Sequence, residues 1–165
     1  MKEYEYSFKV KDVNPYIEYC KNNGFKETFK SNQIRDWYQN NSSINARITV
    51  NKINGKDEII VDFKAEDKSD KILKNTKESL PLKVDNNIDA IDSILDILGY
   101  KLDVHVARTR SVYKKGNVKF EIDEYTEPEI MNVVAIEGEK EMVDNIYESI
   151  KNFDNWFFKI YWKVI

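Results

Sequence analysis

Apolar and polar positions alternate strictly over 3–10. Tyr4, Tyr6, Phe8 and Val10 take one face; Glu3, Glu5, Ser7 and Lys9 take the other. A period of two predicts a β-strand. Strands are also predicted over 26–40, 45–53 and 58–66, with Asn54-Gly55 as a two-residue hairpin turn between the last two. In 58–66, Ile59, Val61, Phe63 and Ala65 oppose Ile60, Asp62, Lys64 and Glu66. A charged stretch over 67–83, punctuated by Pro81, predicts a short helix or a loop. Strands follow over 101–113, 118–125 and 132–137. Helical spacing predicts a helix over 15–23, capped by Asn14 and stopped by Gly24. A second covers 87–98, with Ile88, Ile91, Ile94, Leu95 and Leu98 on one stripe and Gly99 as its stop. A third covers about 140–153, and Asp154 would open a last segment carrying Trp156, Phe157, Tyr161 and Trp162. The order β-α-β-β-β-α-β-β-β-α is an α+β chain without a visible boundary, taken as one domain over 1–165.

Composition narrows the classes. Apolar residues make up 41% of the chain, which excludes disorder, and a net charge of −3 gives no basic field for nucleic acid. The single Cys20 excludes an internal disulfide, and with the single His105 it excludes a Cys/His metal site. Cys20 is expected to pack inside the first helix, and His105 to sit on a strand surface. No apolar run reaches a membrane span, and Lys2, Glu3 and Glu5 interrupt any leader, so a cytoplasmic chain is expected.

The charges carry more information than their number. Arg47 shares a strand face with Thr49 and Asn51, Arg108 with Arg110, and Lys119 with Glu121 and Asp123. If helices cover the apolar face and the sheet curls, this polar face turns inward. A buried charged face is costly unless its charges pair or bind something. Clustered arginines suit phosphates, and clustered carboxylates suit Mg²⁺ or Mn²⁺. Asp62 and Glu66 are expected as salt-bridge partners, and Tyr4, Tyr6 and Trp37 as core.

In their order along the chain these segments resemble the CYTH superfamily, the triphosphate tunnel metalloenzymes, which include class IV adenylate cyclases and thiamine triphosphatases. The family's opening Glu-x-Glu-x-Lys is similar to Glu3-Tyr4-Glu5-Tyr6-Ser7. Its Lys-x-Arg followed by Tyr resembles Arg108-Thr109-Arg110-Ser111-Val112-Tyr113. Its strand ending in Asp resembles 118–124, and its Glu-x-Glu-Gly resembles Ala135-Ile136-Glu137-Gly138. Arg47 matches the first Arg of its Arg-x-Arg strand, and Lys64 the basic residue one strand on.

The resemblance implies an eight-stranded antiparallel β-barrel with helices packed outside. It implies Glu3, Glu5, Asp123 and Glu137 as ligands of Mg²⁺ or Mn²⁺, and Arg47, Lys64, Arg108, Arg110 and Lys119 as phosphate contacts. Glu3, Glu5 and Arg110 would form the catalytic set. The implied activity is metal-dependent hydrolysis of an inorganic or organic triphosphate, with cyclisation of ATP or binding alone as alternatives. The implied partner is a triphosphate-containing small molecule, with no nucleic acid or membrane, and a homodimer is compatible. Three positions depart from the family: Ser7 and Thr49 lack its cations, and Ala135 lacks its first Glu. Lys9, on the same face, is a candidate replacement at Ser7.

Overall fold

The structure is a computed structural model that describes residues 3–66, 73–74, 76–84 and 87–153, with the side chains of 3, 66, 73, 74 and 76 left aside. The elements run β1 (Glu3–Val10), α1 (Asn14–Asn22), β2 (Lys26–Gln39), β3 (Ile44–Ile53), β4 (Lys56–Glu66), β5 (Leu73–Lys74), β6 (Thr76–Glu78), β7 (Leu82–Val84), α2 (Ile88–Ile97), β8 (Lys101–Lys115), β9 (Val118–Glu127), β10 (Met131–Gly138) and α3 (Lys140–Ile150).

The local signals act as chemistry requires. Asn54 and Gly55 carry φ of 52° and 75°, which turns β3 back into β4. Gly24, at φ 77°, lets Phe25 N–H donate to Cys20 O at 2.9 Å, ending α1; Gly99 ends α2 in the same way. Asn87 Oδ1 accepts from Ala90 N–H and caps α2. The cap expected at Asn14 is corrected. Asn14 lies inside α1, and its N–H and side-chain amide both donate to Asp12 Oδ1.

All strands form one antiparallel sheet in the order β5-β1-β10-β9-β8-β2-β3-β4-β6, with β7 also on β4. Helices cover one face. Tyr16 and Cys20 of α1 pack with Phe8, Phe120, Ile122, Val134 and Ile136 of the sheet, and Val143 and Ile150 of α3 join them; Leu95 of α2 packs with Ala46, Ile48, Ile59 and Val61. Cys20 is packing, as expected, and burial pushes its thiol up to about 12. No described helix is long and apolar enough to cross a membrane. The predicted segment after Asp154 lies outside the described residues.

The expected eight-stranded barrel needs correction. Among the described residues, seven long strands are joined by three short ones, and the ladder does not close: β5 pairs with β1 and β6 with β4. The region expected as helix or loop supplies those short strands. Pro81, which has no N–H for a ladder, stands between β6 and β7. The sheet nevertheless curls. Laid flat, nine strands would put its ends about 38 Å apart. Lys74 of β5 and Thr76 of β6 are two residues apart in the chain, a span of at most about 7 Å. The helix-free face is therefore rolled inward. Its polar residues are correspondingly buried: Arg47 is 6% exposed, Arg108 7% and Asp123 4%.

Candidate functional site

Register lays the inner face out in rows. Glu5 lies opposite Glu137, and Glu137 opposite Lys119. Arg110 lies opposite Asp123, and Arg108 between Tyr125 and Gln33. Across β2 and β3, Gln33 faces Asn51, Arg35 faces Thr49 and Trp37 faces Arg47. Arg47 then meets Asp62, and Lys64 meets Glu78.

At one end, carboxylates and lysine alternate. Lys119 Nζ lies 2.7 Å from Glu137 and 3.0 Å from Glu121, and Glu121 lies 2.8 Å from Arg110 Nη1. Burial opposes ionisation of Glu121, but Arg110 and Lys119 outweigh it and bring the carboxyl down to about 2. Glu137 goes the other way. Burial and the neighbouring Glu121 raise its pKa, Lys119 offsets them only in part, and Glu5 adds to the rise. No three Asp, Glu, His or Cys side chains among the described residues converge as a metal-binding group.

The centre is arginine-rich. Asp123 accepts from Arg110 Nε at 2.7 Å and Nη2 at 2.6 Å, and from Arg108 Nη1 at 3.1 Å. Arg108 also donates to Gln33 Oε1 at 2.6 and 2.9 Å and to the Tyr125 hydroxyl at 2.7 Å. Gln33 in turn donates to Asn51 Oδ1. Arg35 Nε donates to Thr49 Oγ1 at 3.0 Å. Burial lowers the Arg35 pKa, and Arg108, Arg110 and Arg47 lower it further. Arg47 holds Asp62 bidentately, lies 3.3 Å from Glu78 and sits 5.2 Å over the Trp37 ring. Beyond the arginines the face becomes apolar at Val106, Tyr125 and Val133.

The positions expected from sequence fall as follows. Arg47, Lys64, Arg108, Arg110, Lys119, Asp123, Glu137 and Glu5 share the inner face. The Glu3 side chain lies outside the described residues. Asp123 directs its carboxylate to two arginines rather than towards Glu137. Lys9 does not reach the Ser7 row; its exposed ammonium lies 3.2 Å from Glu129. Trp37 belongs to the site and not to an apolar cluster, whereas Tyr4 is core. Asp62 is a salt-bridge partner as expected, and His105 is a partly exposed strand residue against Asp36. Ser7 and Ala135, two of the positions that depart from the resembled pattern, are direct cross-strand partners. Three further residues of this face, Arg35, Gln33 and Glu78, were not among those expected from the sequence. Alternation through β2 already puts Gln33, Arg35 and Trp37 on one face, and that was the available signal.

No protein-family model and no curated protein matches the sequence. Solved structures do. PH1012 protein from Pyrococcus horikoshii OT3 superposes with a TM-score of 0.73 at 20% identity, covering 90% of each chain. HpAC1 from Hippeastrum, an adenylyl cyclase candidate with a dominant triphosphatase activity, gives 0.64 at 13% identity over 92% of this chain and 87% of its own. The chain shares the fold of these structures. An adenylate cyclase candidate from Vibrio parahaemolyticus gives 0.64 at 14% identity, over 91% of this chain and 84% of its own. At such identities the likeness is one of fold.

Proposed function

We propose that the chain is a divalent-metal-dependent hydrolase of inorganic or organic triphosphates, held along the arginine-lined inner face. One observation carries this reading. Arg35, Arg47, Arg108 and Arg110 gather on a buried face whose adjoining end presents Glu5 and Glu137 opposite each other. A string of phosphoryl groups suits such a row, since each guanidinium can grip two oxygens at once. Gln33, Tyr125 and Asp123 fix the Arg108 and Arg110 heads in advance, so little order is lost when they bind.

Mg²⁺ or Mn²⁺ would be held by Glu5 and Glu137. The donor set fits, because these ions prefer oxygen and Mg²⁺ is commonly bound by one or two carboxylates plus the substrate's phosphates. The raised Glu137 pKa fits too: a cation there would relieve its repulsion from Glu121 and Glu5. When bound, the ion supplies neutralisation of phosphate charge. Arg110 would steady the charge that builds on the transferred phosphoryl group, in a site where burial strengthens that attraction.

A second reading, a binding module without catalysis, is favoured by a different observation: Arg47, Arg108 and Arg110 are already engaged by internal acids. One experiment separates the two. The protein is incubated with tripolyphosphate, ATP or thiamine triphosphate and Mg²⁺ or Mn²⁺, and phosphate, pyrophosphate and cyclic AMP are measured. Hydrolysis is expected, and Glu5→Ala and Arg110→Ala should abolish it. Background product with ligand-raised melting leaves the binding module; cyclic AMP from ATP would make the chain a cyclase. Neither product nor melting shift would sink the triphosphate reading.

A further inference from the structure

Arg47, Lys64, Arg108, Arg110 and Lys119 each have a carboxylate within 4 Å. Among the described residues Arg35 has none; its hydrogen bond goes to the neutral Thr49 hydroxyl. A half-buried guanidinium beside three other arginines and without an acid is costly to hold. Its flanking residues on the same face of β2 serve the other cations: Gln33 grips Arg108, and Trp37 lies under Arg47. Arg35 thus stands between two held arginines. Thr49 occupies its Nε, and its two terminal nitrogens have no acceptor among the described side chains.

We propose that Arg35 is a substrate-contacting residue that takes a phosphoryl group directly, supplying from β2 the cation that β3 lacks at Thr49 across the ladder. This assignment rests on the reading of the face as a triphosphate site. It explains why an arginine is kept where it repels its neighbours. The other arginines must share their donors between ligand and internal acids, whereas Arg35 gives up no acid when the ligand arrives. Its fork is also oriented beforehand, because Thr49 fixes the near nitrogen.

The test is titration calorimetry of tripolyphosphate into the full chain with EDTA present, which separates phosphate binding from metal. Arg35→Gln should weaken binding about tenfold or more, the weight of a lost charged hydrogen-bond pair. It should also leave the melting temperature unchanged or raise it, a direction that a merely structural arginine would not give. Arg35→Lys should fall between the two. Lys9→Gln, at the exposed Glu129 pair, should bind as wild type. The exchange Arg35→Thr with Thr49→Arg should recover most of the affinity lost in Arg35→Thr alone. Wild-type affinity in Arg35→Gln would overturn the assignment while leaving the triphosphate reading intact. So would an exchange variant that melts like wild type yet binds as weakly as Arg35→Thr. A wild-type chain that takes no tripolyphosphate would remove both.

Discussion

The two faces of this sheet are built from the same strands yet obey different physics. The helix-covered face is apolar and densely packed; Phe120, Ile136, Val134 and Tyr16 are fully buried there. The inner face is nearly as buried but charged, with Arg108 and Asp123 among its least exposed groups. Burying apolar area stabilises a fold, whereas a buried ion pair often does no more than a well-packed apolar pair would. The outer face therefore accounts for why the chain folds, and the inner face for what the folded chain holds.

That contrast can be broken most severely from the apolar side. Phe120→Ala removes a ring packed edge-on to Phe25 and should cost about 4 kcal/mol in urea unfolding. Asp123→Ala should cost about 3 kcal/mol by leaving Arg108 and Arg110 without their shared acid. The two losses should differ in their cure. Tripolyphosphate should restore melting in Asp123→Ala more than in Phe120→Ala, as followed by thermal unfolding with and without ligand. Equal recovery would erase the distinction between the faces.

Smaller effects sharpen it. The Glu121 carboxyl, at about 2 in the fold against an ordinary 4.5, contributes stability that is fully present above 4.5 and lost as pH falls towards 2. Glu121→Gln should flatten the acid limb of the stability curve over that window. Glu137 has the opposite sign: its folded pKa is raised, so its contribution falls as pH rises above 4.5. Glu137→Gln should thus be slightly more stable at neutral pH without metal. It should also lose any rise in melting temperature that Mn²⁺ gives wild type.

The outer face was the legible one. Alternation in β1, the Asn54-Gly55 turn and the glycine stops after α1 and α2 are local signals that need no partner to act. The inner face was legible only where a charge stood in a familiar spacing, as at Arg108 and Arg110. Arg35 escaped because its meaning depends on Thr49 and Arg108, which lie on other strands. The short strands after 66 escaped for a related reason. Two or three residues carry no readable period, and their pairing depends on the exposed borders of β1 and β4.

Those borders carry a consequence of their own. β5 sits along β1, and β6 and β7 along β4, so these short strands occupy backbone groups that would otherwise offer a template to any extended peptide. Deleting 73–84 would expose two long strand rims on one molecule. The sign of that loss would be self-association in light scattering, with copies of the chain joining rim to rim.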